Sequence, residues 1–106
     1  MNEIAQIQIQ DAKTKFDSKE CLFVDIRDPG SYHQARIPGA IHLSDGNVQE
    51  FLQNTAKDQN VVVYCYHGNS SLGATAFLME NGFINVASMS RGFEAWRQVY
   101  EHGEEV

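Results

Sequence analysis

The sequence is poor in the features that mark several protein classes. It has only two cysteines, Cys21 and Cys65, and only two prolines. No stretch approaches the roughly 18 to 20 apolar residues that a membrane-spanning helix needs. The amino-terminal "MNEIAQIQIQ" has neither the basic patch nor the apolar block of a secretory signal, so the expected compartment is the cytoplasm. Thiols stay reduced there, which makes a structural disulfide the weaker expectation. Positive charge is scarce as well: Lys and Arg number 8 against 14 Asp and Glu, a net charge of −6. The cations are scattered, whereas a nucleic-acid or anionic-membrane surface would cluster them. No repeat, low-complexity tract or Gly/Ser/Pro-rich linker divides the chain. Its 106 residues suffice for one core, so the expectation is a single domain over 1–106 with an acidic, frayed tail from about 101 to 106.

What is present alternates between two periods. "AQIQIQ" alternates polar and apolar residues, as a half-exposed or edge strand does, and Asp11 then caps a weak helix near "AKTKFDSK". "CLFVDI" and "VVVYC" are continuous apolar runs of strand length, the pattern of strands covered on both faces. "RDPGSY" is turn chemistry with Ser31 as a candidate cap, and Pro38-Gly39 introduces a short strand "AIHL". Asn47 and Glu50 have capping-box spacing ahead of Val48, Phe51 and Leu52. From Ser71 to Asn81, Leu72, Ala76 and Met79 recur at helical spacing, Ala74, Phe77 and Leu78 fill further sides, and Gly82 is the expected stop. "NVASM" is a last short strand, and Phe93, Trp96 and Tyr100 mark a last amphipathic helix. The expected fold is α/β: a mainly parallel sheet of about five strands with helices on both faces. In such sheets the functional crevice lies beyond the carboxyl ends of the strands.

Cys65 stands at one of those ends. Cys21 instead opens its strand, so a parallel sheet puts the two thiols at opposite edges, and Cys21 reads as a small buried hydrophobe. After Cys65 come residues suited to activating a thiol. Gly68 permits a tight bend, Asn69 tolerates similar dihedrals, and Ser70 and Ser71 offer hydroxyls and helix caps. Amides curling around the sulfur at a helix amino terminus form an anion nest, which lowers the thiol pKa. Two chemistries use a cysteine in such a loop: phosphoryl transfer through a phosphocysteine, and sulfane-sulfur transfer through a persulfide. The first needs a cation, normally Arg in a C-x5-R pattern. Here that position is Ser71, Tyr64 rather than His precedes the thiol, and the loop has no Lys or Arg. A persulfide carries one negative charge where a phosphate dianion carries two, so the residues favour sulfur transfer.

On these motifs the chain resembles the single-domain rhodaneses of the GlpE type of thiosulfate sulfurtransferase. "CYHGNSS" is similar to that active loop, "VDIRDPGSYHQARIPGAIHL" to the amino-terminal signature and "GFEAW" to the carboxyl-terminal one; in order they span about Ile7 to Trp96. The resemblance implies that Cys65 takes the outer sulfur of thiosulfate and passes it to cyanide, a dithiol or another acceptor such as thioredoxin. It implies that the amides of Tyr66, His67, Gly68, Asn69 and Ser70, with Ser71, cradle the sulfur. It implies no cofactor and no metal, no nucleic-acid or membrane partner, and a monomer or weak dimer. His33, His42 and His102 show no metal-ligand spacing in any case. Three positions depart from the pattern. Arg36 replaces the signature His and reads as a solvated side chain, Leu72 replaces the Lys after the loop, and Ser90-Arg91 replaces Asp-Gly. Arg91 is the candidate to make up part of the missing cation. His67 either hydrogen-bonds substrate or acceptor or lines the rim of the site, Asp25 and Arg27 read as an ion pair that orients loops, and Phe93 and Trp96 read as core, with Phe93 able to wall the pocket. Two other readings share the motifs: a persulfide carrier fed by a polysulfide or a cysteine desulfurase, and a non-catalytic binding or redox-sensing module. The second is disfavoured because the loop cysteine is retained.

Overall fold

The computed structural model describes residues 3–100. The sequence-predicted acidic tail at 101–106, and with it His102, lies outside the described residues. Five strands, β1 (Gln6–Ile7), β2 (Cys21–Asp25), β3 (Ile41–His42), β4 (Asn60–Tyr64) and β5 (Val86–Met89), form one sheet in the order β1-β5-β4-β2-β3. Every pairing is parallel. Five helices connect them: α1 (Ile9–Ser18), α2 (Pro29–Gln34), α3 (Val48–Asn54), α4 (Ser70–Glu80) and α5 (Gly92–Val99). The α/β fold with a five-stranded parallel sheet and helices on both faces is as expected.

Strand periodicity divides the core. Val62 and Tyr64 point to one face, where Ala12, Phe23, Met89, Phe93 and Trp96 pack with them. Val61 and Val63 point to the other, against Val24, Phe51, Leu78, Phe83 and Val86. Both Phe93 and Trp96 are core residues. The chain runs outward from β2 to β3, then returns through β4 to β5 on the other side. The strand order therefore reverses between β2 and β4, which is where a parallel sheet opens a crevice at its carboxyl edge. Alternation along β4 puts residue 65 on the face of Val61 and Val63, the face covered by α3 and α4.

Local elements correct several expectations. The alternation in "AQIQIQ" yields only two strand residues, because Ile9, Ala12 and Phe16 form a helical stripe that starts earlier than the composition of 12–19 indicates. The cap of α1 is accordingly Gln8, while Asp11 sits in the first turn, where its charge suits the helix dipole. "RDPGSY" folds into α2 rather than a bare turn. Asp28, not Ser31, is its cap: the Ser31 amide donates to Asp28 Oδ2 at 3.0 Å, and Pro29 opens the helix. Asn47 is the cap residue of α3, yet its side chain makes no cap bond. It instead accepts from the Ser44 amide (2.8 Å) and donates to the His42 carbonyl (2.7 Å), closing the loop before the helix. The inward face of α4 is Ser71, Thr75 and Leu78; Leu72, Ala76 and Met79 are only half-buried and Phe77 is exposed. Cys21 is half-buried rather than buried.

Candidate active site

Cys65 follows the last residue of β4, the strand next to the point of reversal, and is only 6% exposed. Its backbone is locked from outside. The first turn of α5 donates to the loop carbonyls, Phe93 N to Cys65 O at 2.9 Å and Glu94 N to Tyr66 O at 3.0 Å. With those carbonyls turned outward, amides on the inner side are left for the sulfur. Gly68 N donates to Cys65 Sγ at 3.1 Å and Ser71 N at 3.3 Å, and Ser71 Oγ lies 3.4 Å from the same atom.

Two glycines make this bend possible. Gly68 has φ +95, and a Cβ there would fall 2.7 Å from the Arg91 amide nitrogen. Gly92 has φ +63, and its Cβ would fall 2.5 Å from Tyr66 O and 2.6 Å from Cys65 O. The loop and the start of α5 are thus packed backbone against backbone, a contact no other residue type allows.

Burial pushes the Cys65 thiol up, but the Ser71 hydroxyl and the amides of Ser71, Gly68 and His67 outweigh it. The thiol ends below its ordinary value. Cys21 shows the opposite balance: burial prevails over Lys15 and its thiol is raised.

The other sequence-predicted residues divide around this centre. Tyr66 and His67 are exposed, and their rings stack with centroids 5.0 Å apart. Asn69 is the cap position of α4 without a side-chain cap bond, and Ser70 is the first exposed residue of that helix. Of the expected cradle, the amides of Gly68 and Ser71 donate to the Cys65 sulfur, and the His67 amide adds to the lowering of its thiol. Ser71 does not cap the helix through its hydroxyl either; it is fully buried and faces the sulfur. Arg91 is exposed, at φ +67, and shares a shallow hollow of about 200 Å³ with His67, Glu94, Ala95 and Gln98.

Behind the loop, Arg27 Nη2 and Nε engage Asp25 at 2.7 and 3.1 Å, and Nη2 also donates to Ala35 O at 2.6 Å. The guanidinium lies 4.3 Å above the Phe93 ring. Burial opposes its charge, and the bonds to Asp25 more than offset that. The pair joins the end of β2 to the end of α2 and to α5, in keeping with a role in orienting loops. Arg36 is not simply solvated: it donates to Tyr32 O at 3.0 Å and lies over the Tyr32 ring. A cleft of about 490 Å³ opens at the carboxyl ends of β2 and β3, lined in part by Ile26, Leu43, Ala74 and Phe77, but Cys65 is not in its lining. Among the described residues no three His, Cys, Asp or Glu side chains gather as a metal site, and no helix is long and apolar enough to cross a membrane.

A family model described as a rhodanese-like domain matches residues 8–99. The chain belongs to this family. Among curated relatives, a thiosulfate sulfurtransferase GlpE from Tolumonas auensis is 39% identical over 102 residues, 96% of each chain. Another of that name, from Pseudoalteromonas translucida, is 42% identical over 94 residues, covering 89% of this chain and 90% of its own. Solved rhodanese structures share the fold at lower identity. A rhodanese-related protein from Thermoplasma volcanium superposes with a TM-score of 0.80 at 24% identity, covering 93% of this chain and 97% of that one. A rhodanese-like domain from Anabaena sp. reaches 0.85 at 20% identity, with 96% and 80% covered.

One residue of this rhodanese site escaped the sequence reading. Ser88, fully buried in β5, places Oγ 2.7 Å from Ser71 Oγ. Its only signal was a hydroxyl on the inward side of an otherwise apolar strand, "NVASM".

Proposed function

We propose that this rhodanese is a thiosulfate sulfurtransferase with Cys65 as its nucleophile. The observation that carries the reading is the set of donors converging on a depressed thiol with no cation in the loop. The Cys65 thiolate attacks the outer sulfur of thiosulfate, the S–S bond of the donor breaks, and sulfite leaves with the bonding pair. The enzyme then holds a Cys65 persulfide with one negative charge on its outer sulfur. Cyanide attacks that sulfur and departs as thiocyanate, regenerating the thiolate; a dithiol acceptor would release sulfide and become a disulfide. Gly68, Ser71 and His67 stabilise the thiolate at the start and end of the cycle. Tyr66, Asn69 and Ser70 hold the bend and face the incoming donor, and Arg91 with His67 attracts the anion from the rim. Thioredoxin is one acceptor of the dithiol class, and the compartment we infer is the cytoplasm.

The test is direct. Incubated with thiosulfate, the protein should gain one sulfur by intact mass, mapped to Cys65, and form thiocyanate on addition of cyanide; Cys65→Ser should do neither. A folded wild-type chain with no adduct and no thiocyanate would defeat the reading. Loading by a polysulfide but not by thiosulfate would establish instead the persulfide carrier, which the cation-free loop, with Leu72 at the Lys position, also fits.

A further inference from the structure

Three hydroxyls are buried beyond the amide cradle. α4 turns Ser71 and Thr75 inward and β5 turns Ser88 toward them, all without solvent exposure. Ser71 Oγ stands between two partners, Cys65 Sγ at 3.4 Å and Ser88 Oγ at 2.7 Å. A hydroxyl has one proton to give and two lone pairs to receive. Ser71 can therefore donate to the sulfur or to Ser88, but not to both.

Which way it points depends on the charge of Cys65. While Cys65 is a neutral thiol, S–H can donate to Ser71 Oγ and Ser71 can donate onward to Ser88. A thiolate has no proton and accepts only, so Ser71 must then aim its own proton at the sulfur. Its oxygen is satisfied on the other side only if Ser88 donates to it. Both hydroxyl rotors reverse and no heavy atom has to move. Both serines are fully buried and Cys65 is only 6% exposed, and in such a low-dielectric chain each donor strengthens the next.

We infer that Ser88 is a positioning residue, the terminal donor that keeps the Ser71 hydroxyl aimed at the charged sulfur. This rests on Cys65 being the nucleophile of the proposed reaction, and it extends the site from one loop to a neighbouring strand. The thiolate begins the donor half-reaction and is the leaving group of the acceptor half-reaction, so the same support serves both. A thiol of lower pKa leaves faster.

The relay can be read without turnover, from the pH dependence of iodoacetamide alkylation at Cys65, resolved by peptide mass. The charged and titratable groups around the loop are His67 and Tyr66 within it, Tyr64 before it, Asp25 and Arg27 at the end of β2, and Arg91, Glu94 and Arg97 from the start and body of α5. All are retained in the variants. Ser88→Ala should move the Cys65 midpoint up by about half to one pH unit, while Cys21 in the same molecules stays in place. Ser88→Thr and Ser88→Val have the same shape in a strand that favours both, so the test does not depend on the alanine variant folding. Threonine should restore the wild-type profile and valine should not. Ser71→Ala should shift the midpoint at least as far, and adding Ser88→Ala to it should change nothing more. In turnover, kcat/KM for thiosulfate should fall roughly threefold to tenfold below the midpoint and recover at high pH. Folded Ser88→Ala and Ser88→Val proteins that titrate like wild type would overturn the inference, as would a full further shift on the Ser71→Ala background. A wild-type chain with the low midpoint but no sulfur loading would defeat the proposed function and leave the relay intact.

Discussion

The sulfur of Cys65 is tuned by groups that can each be removed one at a time. Its thiol is held below the ordinary value by Ser71, Gly68 and His67 despite burial, whereas burial raises Cys21. Alkylation of the two should separate on the pH axis. The Cys65 midpoint should lie below that of Cys21, as peptide mapping after timed labelling can check. A single common midpoint would contradict the geometry. Gly68 offers a sharper test, because it supplies a sulfur donor and meets the Arg91 backbone at once. Gly68→Ala should lose about 2 kcal/mol or more of stability in a urea titration, from a strained positive φ and a displaced neighbour. Sulfur loading from thiosulfate should slow on the order of tenfold to hundredfold, as loss of a positioned donor does elsewhere. At this scale Cys65, Gly68 and Ser71 were legible in the sequence, because a thiol, a glycine and a small hydroxyl each have few reasons to stand at a strand's end. Ser88 was not, because its partner is 17 residues away across a helix–strand contact and a lone serine in a short strand carries no periodic signal.

Elements show where local pattern and tertiary packing disagree. The strands "CLFVDI" and "VVVYC" and the final helix are where the apolar runs put them, since burial on both faces or on one stripe leaves little choice. Short elements went astray. α2 is only six residues, and its sequence resembles a turn because Asp28-Pro29-Gly30 suits a turn as well as a helix start. Asn47 has the right residue type for a cap, yet its side chain serves the preceding loop. Two tests belong to this scale. The Asp25–Arg27 pair ties β2 to the end of α2 and lies against α5. Asp25→Ala would leave a buried guanidinium without its counter-ion and should cost about 3–5 kcal/mol, measured by denaturant unfolding. Thr75, on the inward face of α4, has a buried hydroxyl with no hydrogen-bond partner. Thr75→Val removes that oxygen at nearly constant volume and should stabilise the protein by about 1 kcal/mol, seen as a higher urea midpoint. A lower midpoint would show that the hydroxyl does have a role in the packed helix.

Across the whole molecule the difficulty is charge. The chain carries a net −6, and the donor in the proposed reaction is a dianion. Backbone amides can hold an anion at contact range but do little to draw one in, so approach depends on the field around the rim. Two exposed cations flank the loop: Arg97 is paired with Glu94, while Arg91 lines the same hollow as His67 and its backbone packs against Gly68. Its side chain is in solvent, so its contribution is that of an exposed charge, up to about 1 kcal/mol and screened by salt. Arg91→Ala should then lower kcat/KM for thiosulfate about threefold to fivefold at 0.01 M ionic strength, where the screening length is about 30 Å. The deficit should close toward 1 M salt, where that length falls to about 3 Å. Salt should also change the two proteins in opposite directions. Wild type, with a local cation, should slow as salt rises, whereas the variant, left with the repulsion of the net negative charge, should speed up. Arg91→Lys separates charge from shape, because it keeps the cation on another positive-φ side chain and should preserve the wild-type slope. Parallel salt profiles for wild type and Arg91→Ala would remove Arg91 from the mechanism and leave the capture of thiosulfate to the amide loop alone.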